Sequence, residues 1–317
     1  VSVDGNNILE VMNELEKICK SIRERPRPVI FEAKTFRMRG HEEASGTKYV
    51  PKELMNYWVK KDPIVNYEHF LIESGIDLEL LENFKKNIKK EINVAVKKAF
   101  SEVPLTVNSE KELADVYAPF TQKNQELETT NREIRFVDAI SEGLRQSLER
   151  NKNLIFLGQD IAEYGGVFKI SEGFLEKFGS LRIRNTPLCE SAIVGITLGL
   201  SISGMKAVME MQFADFVTCG FNQIVNNLAK SYYRWAQNAD VVIRMPTGAG
   251  VNGGPYHSQS NEAWFFHTPG LKIVYPSTPS AAKGLLCAAI EDPNPYLFFE
   301  HKYLYRSLTG PVVEAYH

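Results

Sequence analysis

The feature that most constrains this chain is a regular alternation in its second half. Short apolar runs, LIFLG, KAVMEM, VVIRMP, KIVYP and PYLFFE, are separated by stretches with the three- and four-residue apolar spacing of helices. Continuous apolar strands divided by helices predict a parallel sheet covered on both faces, the α/β class. The spacing predicts helices over 133–149, 171–178, 190–203, 214–236 and 279–291, with a short strand around RIRNTPL. Ser277 or Thr278 can cap the last helix. The glycine-rich apolar helix at 190–203 reads as buried and closely packed. Ligands of such sheets bind beyond the carboxyl ends of the strands, so polar residues just after strands are the candidates for function.

The first half reads differently. A helix is expected over 8–24, a short buried strand through PVIFEAK (28–34) and a polar loop over 35–51. Pro51 can open a helix carrying Leu54 and Trp58, Asp62-Pro63 stops it, and another helix follows over 65–74. Residues 78–100 form an amphipathic helix, with Leu81, Phe84, Ile88, Ile92 and Val96 on one face and lysines 85, 86, 89, 90, 97 and 98 on the other. No aromatics interleave with these lysines, so they read as a solvated face and not a nucleic-acid surface. Residues 101–130 are polar, contain Pro104 and Pro119, and read as a linker. A length of 317 residues fits two globular units.

Composition excludes more than it identifies. With 37 Lys+Arg against 39 Asp+Glu the formal charge is -2, which exerts no pull toward nucleic acid or an anionic membrane. No apolar run reaches the roughly eighteen residues of a membrane span, and the start is not a signal peptide. Cys19, Cys189, Cys219 and Cys287 form no CxxC pair, which reads as reduced thiols in a cytoplasmic protein. The beginning, VSVDGNNILEV, and the end, PVVEAYH, both read as interrupted elements, so the chain is expected to be part of a longer protein.

Several residues carry candidate chemistry. Glu190 opens the glycine-rich helix, either as a charge favoured by the helix dipole or as a carboxylate exchanging a proton with a ligand nitrogen. Gln212 and Phe216 follow KAVMEM, four residues apart; Phe216 is either core or a stacking platform beside an amide. His257 lies in the glycine-rich loop GAGVNGGPYHSQS, a setting suited to proton transfer. Arg37, Arg39 and His41 lie on the loop after PVIFEAK, where they form either an exposed surface or a site for an anionic substrate or phosphate. GxxxxGK[ST], HExxH and EF-hand spacing are absent, so no self-contained phosphate loop or metal site is visible.

At this point a family resemblance emerges. DIAEYGGVF (160–168), FGSLRIRNTPLCE (178–190), EMQFADF (210–216), FNQIVNNLAK (221–230), YHSQSNEA (256–263), HTPGLKIVYPSTPSAAKGLL (267–286) and FFEHKYLYR (298–306) resemble the β-subunit cofactor domain of the E1 component of 2-oxo acid dehydrogenases. VDGNNILEV, KTFRMRGHE, YWVKKDPI and ELADVYAPF resemble the end of the matching α subunit. The resemblance implies a transketolase-like, thiamine-diphosphate-binding fold. It divides the chain into an α-type portion over 1–118, a junction over 119–135 and a pyrimidine-binding domain over 136–306. Residues 307–317 would begin the connection to a further domain.

The resemblance also implies roles. Glu190 matches the carboxylate that hydrogen-bonds the aminopyrimidine nitrogen, Phe216 the aromatic stacked on that ring, Gln212 a polar neighbour and Leu188 a pocket-lining residue. His257 and His41 match histidines serving decarboxylation and acyl transfer, and Arg37 an arginine near the cofactor. Asp292 and Asn294 match positions around a monovalent cation site, K⁺ in some members. The implied reaction is oxidative decarboxylation of a 2-oxo acid, with the acyl group passing to the lipoyl domain of an E2 acyltransferase. The implied assembly is a homodimer of fused chains, equivalent to α2β2.

Departures qualify the match. Glu42 stands where a serine usually follows the histidine, and Tyr49-Val50 replaces a tyrosine-arginine pair. The segment that grips Mg²⁺ and the diphosphate is missing and expected upstream of residue 1, so the chain alone is expected to be inactive. NTPLCE, QFADF and YHSQS look closer to branched-chain members than to pyruvate members. Acetoin dehydrogenase, a transketolase-like enzyme and a non-catalytic assembly module remain as alternatives.

Overall fold

The computed structural model describes residues 1–42, 44–121 and 132–316, and its contacts divide the chain between Thr106 and Val107. In the first unit β1 (Ser2–Asp4) pairs in parallel with β2 (Glu32–Lys34). The strand expected over 28–34 shrinks to its last three residues and is exposed. Pro26 and Pro28 have no N–H to give a ladder, and Ile30 is 86% exposed. Helix α1 (Ile8–Glu24) begins where the Asn7 side chain accepts the Glu10 N–H. Helix α2 (Lys52–Val59) follows Pro51. Asp62 accepts the N–H groups of Ile64 and Val65 and so starts α3 (Pro63–Glu73), the same Asp-Pro that ends α2. Asp77 likewise caps α4 (Leu78–Ser101). The apolar stripe of α4 is not buried: Phe84, Ile88 and Ile92 are each more than half exposed.

The second unit begins within the stretch read as a linker. There α5 (Ser109–Ala114) forms, Tyr117 Oη donates to Leu271 O, and Ala118 exchanges hydrogen bonds of 2.8 and 3.0 Å with Asn294. These bonds attach 107–118 to the sheet-bearing unit, and the contacts divide the chain after Thr106. Residues 122–131 of the expected junction lie outside the described residues.

From β3 (Glu133–Arg135) the chain runs through α6 (Phe136–Arg150), β4 (Leu154–Gly158), α7 (Phe174–Phe178), β5 (Ile183–Asn185), α8 (Glu190–Ile202) and β6 (Lys206–Glu210). The single helix expected over 214–236 is broken into a 3-10 turn at Ala214–Phe216, α9 (Val217–Asn222), a π turn at Gln223–Leu228 and α10 (Ser231–Trp235). The wide turn presses Ala229 against Gly270, where a Cβ would lie 1.8 Å from the Ala229 carbonyl oxygen. The chain continues through β7 (Val241–Thr247), β8 (Lys272–Val274), α11 (Pro279–Glu291), β9 (Tyr296–His301) and α12 (Leu304–Ser307). Thr278 supplies the cap of α11. Finally β10 (Thr309–Pro311) returns antiparallel to β3. The tail, expected as the start of a connection, is packed down: Lys283 Nζ donates to the carbonyls of Val313, Glu314 and Ala315.

Among the described residues six strands form one parallel sheet in the order β5-β4-β6-β7-β9-β8. Alternate strand residues face opposite layers. Phe156, Val208, Val242 and Phe298 pack with Ile140 and Leu144 of α6 and Leu286 of α11. Ile155, Met209, Ile243 and Phe299 pack with Ile193 and Val194 of α8 and with Ile224. The expectation that α8 is buried holds for one side only. Val194 and Thr197 are fully buried, whereas Ile196 and Ile202 are more than half exposed. Among the described residues no helix is long and apolar enough to cross a membrane.

Candidate active site

The sheet order places β4 between β5, the next strand in sequence, and β6, the one after. The chain leaves β4 to one side and returns on the other, and in parallel sheets this switch point, the crevice expected beyond the carboxyl ends of β4 and β6, is where ligands bind. Gln159 is the first residue after β4, and half-buried Gln212 is the second after β6.

Glu190 is the first residue of α8 and half-buried. No side chain caps this helix, so its free N–H groups and dipole favour a carboxylate there. Gln159 Nε2 donates to Glu190 Oε1 at 3.3 Å. The Glu190 backbone lies against α9, where a Cβ at Gly220 would be 3.6 Å from its carbonyl oxygen. The helix that carries Glu190 therefore packs on the segment that carries Phe216.

Phe216 ends the 3-10 turn and is half-buried. Its ring and that of Phe213 both meet the His257 imidazole edge-on, at centroid distances of 5.6 and 4.8 Å. His257 Nδ1 is 3.2 Å from Gly253 O. A carbonyl only accepts, so this contact puts the proton on Nδ1 and leaves Nε2 as the acceptor.

The His257 loop is held by groups that the sequence reading had not singled out. Asp215 Oδ1 accepts the N–H groups of Ser258 and Gln259 at 3.2 and 3.1 Å. Thr247 Oγ1 and the Gly248 N–H both donate to Gln259 O, and Asn261 Nδ2 donates to Ala214 O. Gly248 has φ +77, and a Cβ there would sit 2.4 Å from His301 Nε2. Lys302 Nζ is buried without a partner, 5.4 Å from the Phe213 ring centroid. Burial lowers its pKa, and the charge of Asp215 opposes that shift in part. Asp215 Oδ2 is likewise buried and unpartnered.

Behind the crevice, Arg244 of β7 ties three strand ends together. Its guanidinium grips Glu300 of β9 through two hydrogen bonds of 2.8 Å and Glu210 of β6 through one of 2.9 Å. Tyr305 Oη donates to Glu300 at 2.6 Å. Burial works against the Arg244 charge, but Glu300 and Glu210 outweigh it and hold the group protonated. Burial raises the Glu210 carboxyl, whose Oε1 has no partner.

The remaining expected residues are less engaged. Leu188 is 80% exposed. In the first unit Arg37 and His41 lie exposed on the loop after β2. Asp292 and Asn294 form a network that is complete within the protein. Asp292 accepts from Asn294, Lys272 and Tyr296, and Asn294 Oδ1 accepts the Ala118 N–H. The Lys272 ammonium already stands against the carboxylate that was expected beside a monovalent cation.

Of the groups missed, Gln159 and Lys302 are each the first residue after a strand, the position that the parallel-sheet rule marks. Asp215 sits between the two aromatics of QFADF and had no such signal.

A model of the transketolase pyrimidine binding domain matches residues 132–307, more than half of the chain. The chain belongs to that family. Its sheet, crevice and His257 loop all lie within this pyrimidine-binding domain, and a model of the dehydrogenase E1 component matches residues 1–108. Among curated proteins, 2-oxoisovalerate dehydrogenase subunit beta of Bacillus subtilis (strain 168) is 49% identical over 56% of this chain and 55% of its own length. The mitochondrial 2-oxoisovalerate dehydrogenase subunit beta 2 of Arabidopsis thaliana is 44% identical over 58% of this chain and 52% of its own. Pyruvate dehydrogenase E1 component subunit beta of Acholeplasma laidlawii is 39% identical over 55% of this chain and 54% of its own. The chain spans about half the length of these curated relatives.

Proposed function

We propose that this chain is part of a thiamine-diphosphate-dependent E1 component that oxidatively decarboxylates a branched-chain 2-oxo acid. The acyl group passes to the lipoyl domain of an E2 acyltransferase, and the protein works as a homodimer. The observation that carries the reading is the grouping of side chains past the strand ends: Glu190 opens α8, meets Gln159, and packs through its backbone on the segment that bears Phe216, which is in contact with His257.

These residues fit the aminopyrimidine end of the cofactor. The crevice offers a carboxylate, an aromatic ring and a buried amide oxygen without a partner, Gln159 Oε1. Among the described residues no group of three or more His, Cys, Asp or Glu side chains is placed to hold a metal ion, so no Mg²⁺ ligand is assigned here. When bound, thiamine diphosphate supplies the electron sink for loss of CO₂.

The protein's tasks are then binding and proton management. Glu190 exchanges a proton with the ring nitrogen, while Phe216 packs on the ring and excludes water. His257 offers Nε2 as the acceptor of a substrate proton, with Nδ1 fixed by Gly253. Arg37 and His41, on their exposed loop, are assigned to the anionic substrate and to acyl transfer. The branched-chain preference rests on the names of the more similar relatives, 2-oxoisovalerate dehydrogenases.

The test is dye reduction by the full-length protein with Mg²⁺ and thiamine diphosphate, comparing 3-methyl-2-oxobutanoate with pyruvate. The branched substrate should have the higher kcat/KM. Glu190→Gln should lower kcat by about 10²-fold or more, the scale of general acid–base catalysis. Wild-type turnover in that variant would remove Glu190 from its role, and equal rates on both substrates would remove the branched-chain preference.

A further inference from the structure

The site as described leaves one buried group unexplained. Gln159 is 6% exposed, and the backbone on either side of it is hydrogen-bonded: the Thr186 N–H donates to Gly158 O at 2.9 Å and the Gly166 N–H to Asp160 O at 2.8 Å. At this burial the amide is shielded from solvent. Its nitrogen meets Glu190 Oε1 at 3.3 Å, while its oxygen is buried with no donor. Thr186, bonded through its backbone to the residue before Gln159, carries a second buried and unpartnered oxygen, Oγ1. Buried polar atoms are retained without protein partners where a water or ligand satisfies them. Both orphaned oxygens belong to residues just past the ends of β4 and β5, on the Glu190 side of the crevice.

We propose that Gln159 is a positioning residue for Glu190. Its Nε2 engages one carboxylate oxygen and so presents the other, Oε2, toward the ring nitrogen of an aminopyrimidine ligand, while its own oxygen holds an ordered water at the crevice wall. A carboxylate in a helix's first turn has several rotamers open to it. A donor fixed on a strand end selects one of them. The amide is also neutral, so it orients Glu190 without adding a second charge that would compete for the ligand's proton. This inference rests on the assignment of the crevice to the aminopyrimidine.

The test is a cycle between a protein side chain and a ligand atom, read as binding and not as turnover. Dissociation constants of Mg²⁺–thiamine diphosphate, and of its analogue with the ring nitrogen addressed by Glu190 replaced by CH, are measured by calorimetry. The proteins compared, each as the full-length protein, are the wild type, Gln159→Leu, Gln159→Asn and Glu190→Gln. Asparagine keeps the polarity but is one methylene too short to reach Glu190, and it serves if leucine disturbs folding, which melting curves report.

If Gln159 acts through Glu190, each Gln159 variant binds the normal cofactor about tenfold more weakly, the scale of one hydrogen bond to a charged group. Each should bind the CH analogue within about twofold of wild type. Equal losses on both ligands mean a structural role, no loss on either means no role, and either result overturns the proposal. Wild type that binds both ligands equally, or binds neither, overturns the reading of the crevice itself and this inference with it.

Discussion

Arg244 gives the sharpest test of how the site is supported. Arg244→Met keeps the length and apolar bulk of the side chain but leaves the Glu300 and Glu210 carboxylates buried without their cation. Removing one partner of a buried ion pair costs about 3–5 kcal/mol. For a unit of this size about 1 kcal/mol lowers the melting temperature by about 2–4 °C, so a fall of about 10 °C is expected. Glu210→Gln should behave oppositely, because Glu210 is the surplus charge in a group of two carboxylates and one guanidinium. Burial raises its folded carboxyl above the ordinary carboxylate value, so the native state binds the extra proton. Stability from this group is therefore present at low pH and is lost as pH rises from about 4.5 through the folded value. Glu210→Gln removes that loss: it should match wild type near pH 4 and equal or exceed it at pH 8. Melts by circular dichroism over pH 4–8 read both effects. An Arg244→Met variant melting within about 2 °C of wild type would refute the claim that this residue supports the strand ends. A Glu210→Gln variant that grows less stable than wild type as pH rises would refute the assignment of the surplus charge.

Three other outcomes follow from the same geometry. Asp215→Ala strips the acceptor from the Ser258 and Gln259 N–H groups, and amide exchange at those two positions should accelerate by at least about tenfold, from about 1–3 kcal/mol of lost hydrogen bonding; unchanged exchange means that the loop is held by its other bonds. Lys283→Met releases the carbonyls of Val313, Glu314 and Ala315 and leaves Glu142 with one partner fewer, so limited proteolysis should cut near residue 313 in the variant first. Burial pushes the Cys287 thiol up to about 11, so at pH 8 iodoacetamide should label exposed Cys19 and Cys219 well before Cys287, which mass spectrometry resolves by peptide.

Much of the fold was legible because its elements carry local signals. The apolar runs at 154–158, 206–210 and 241–247 are strands on inspection, and Thr278 marks a helix start by its side-chain chemistry, whereas Asp62, read as a stop, also caps the next helix. What was not legible depends on tertiary partners. PVIFEAK has strand composition, but Pro28 and the preceding Pro26 have no N–H for a ladder, and only Glu32–Lys34 pair. Residues 107–118 read as a linker because they are polar, and only Asn294 and Leu271, far away in sequence, show where they attach. The 214–236 segment has continuous helical spacing, yet close approach to Gly270 bends it through a π turn. In the site, Glu190 and His257 stood out by type and setting. Gln159, Asp215 and Lys302 act through the groups they hold or approach, and pairings across 31 and 44 residues leave no periodic trace in a sequence.

The Arg244 ion cluster and the Asp215 hydrogen bonds anchor the candidate site at two different levels. Arg244 locks β6, β7 and β9 at their carboxyl ends, which fixes the starting points of the Gln212 segment, the His257 loop and the Lys302 turn at once. From there the His257 loop is anchored only at its roots, by Thr247, Asp215 and Asn261, while residues 251–256 stay exposed. Loosening the roots and loosening the strand ends should therefore differ in kind. Asp215→Ala should raise KM and leave the melting temperature within a few degrees, because only loop order is lost. Arg244→Met should lower both stability and kcat, because the Phe216 segment and the His257 loop lose their common base. Equal effects of the two variants on KM, kcat and melting would mean that loop and strand ends form one cooperative unit, and that the division drawn here between anchor and loop is wrong.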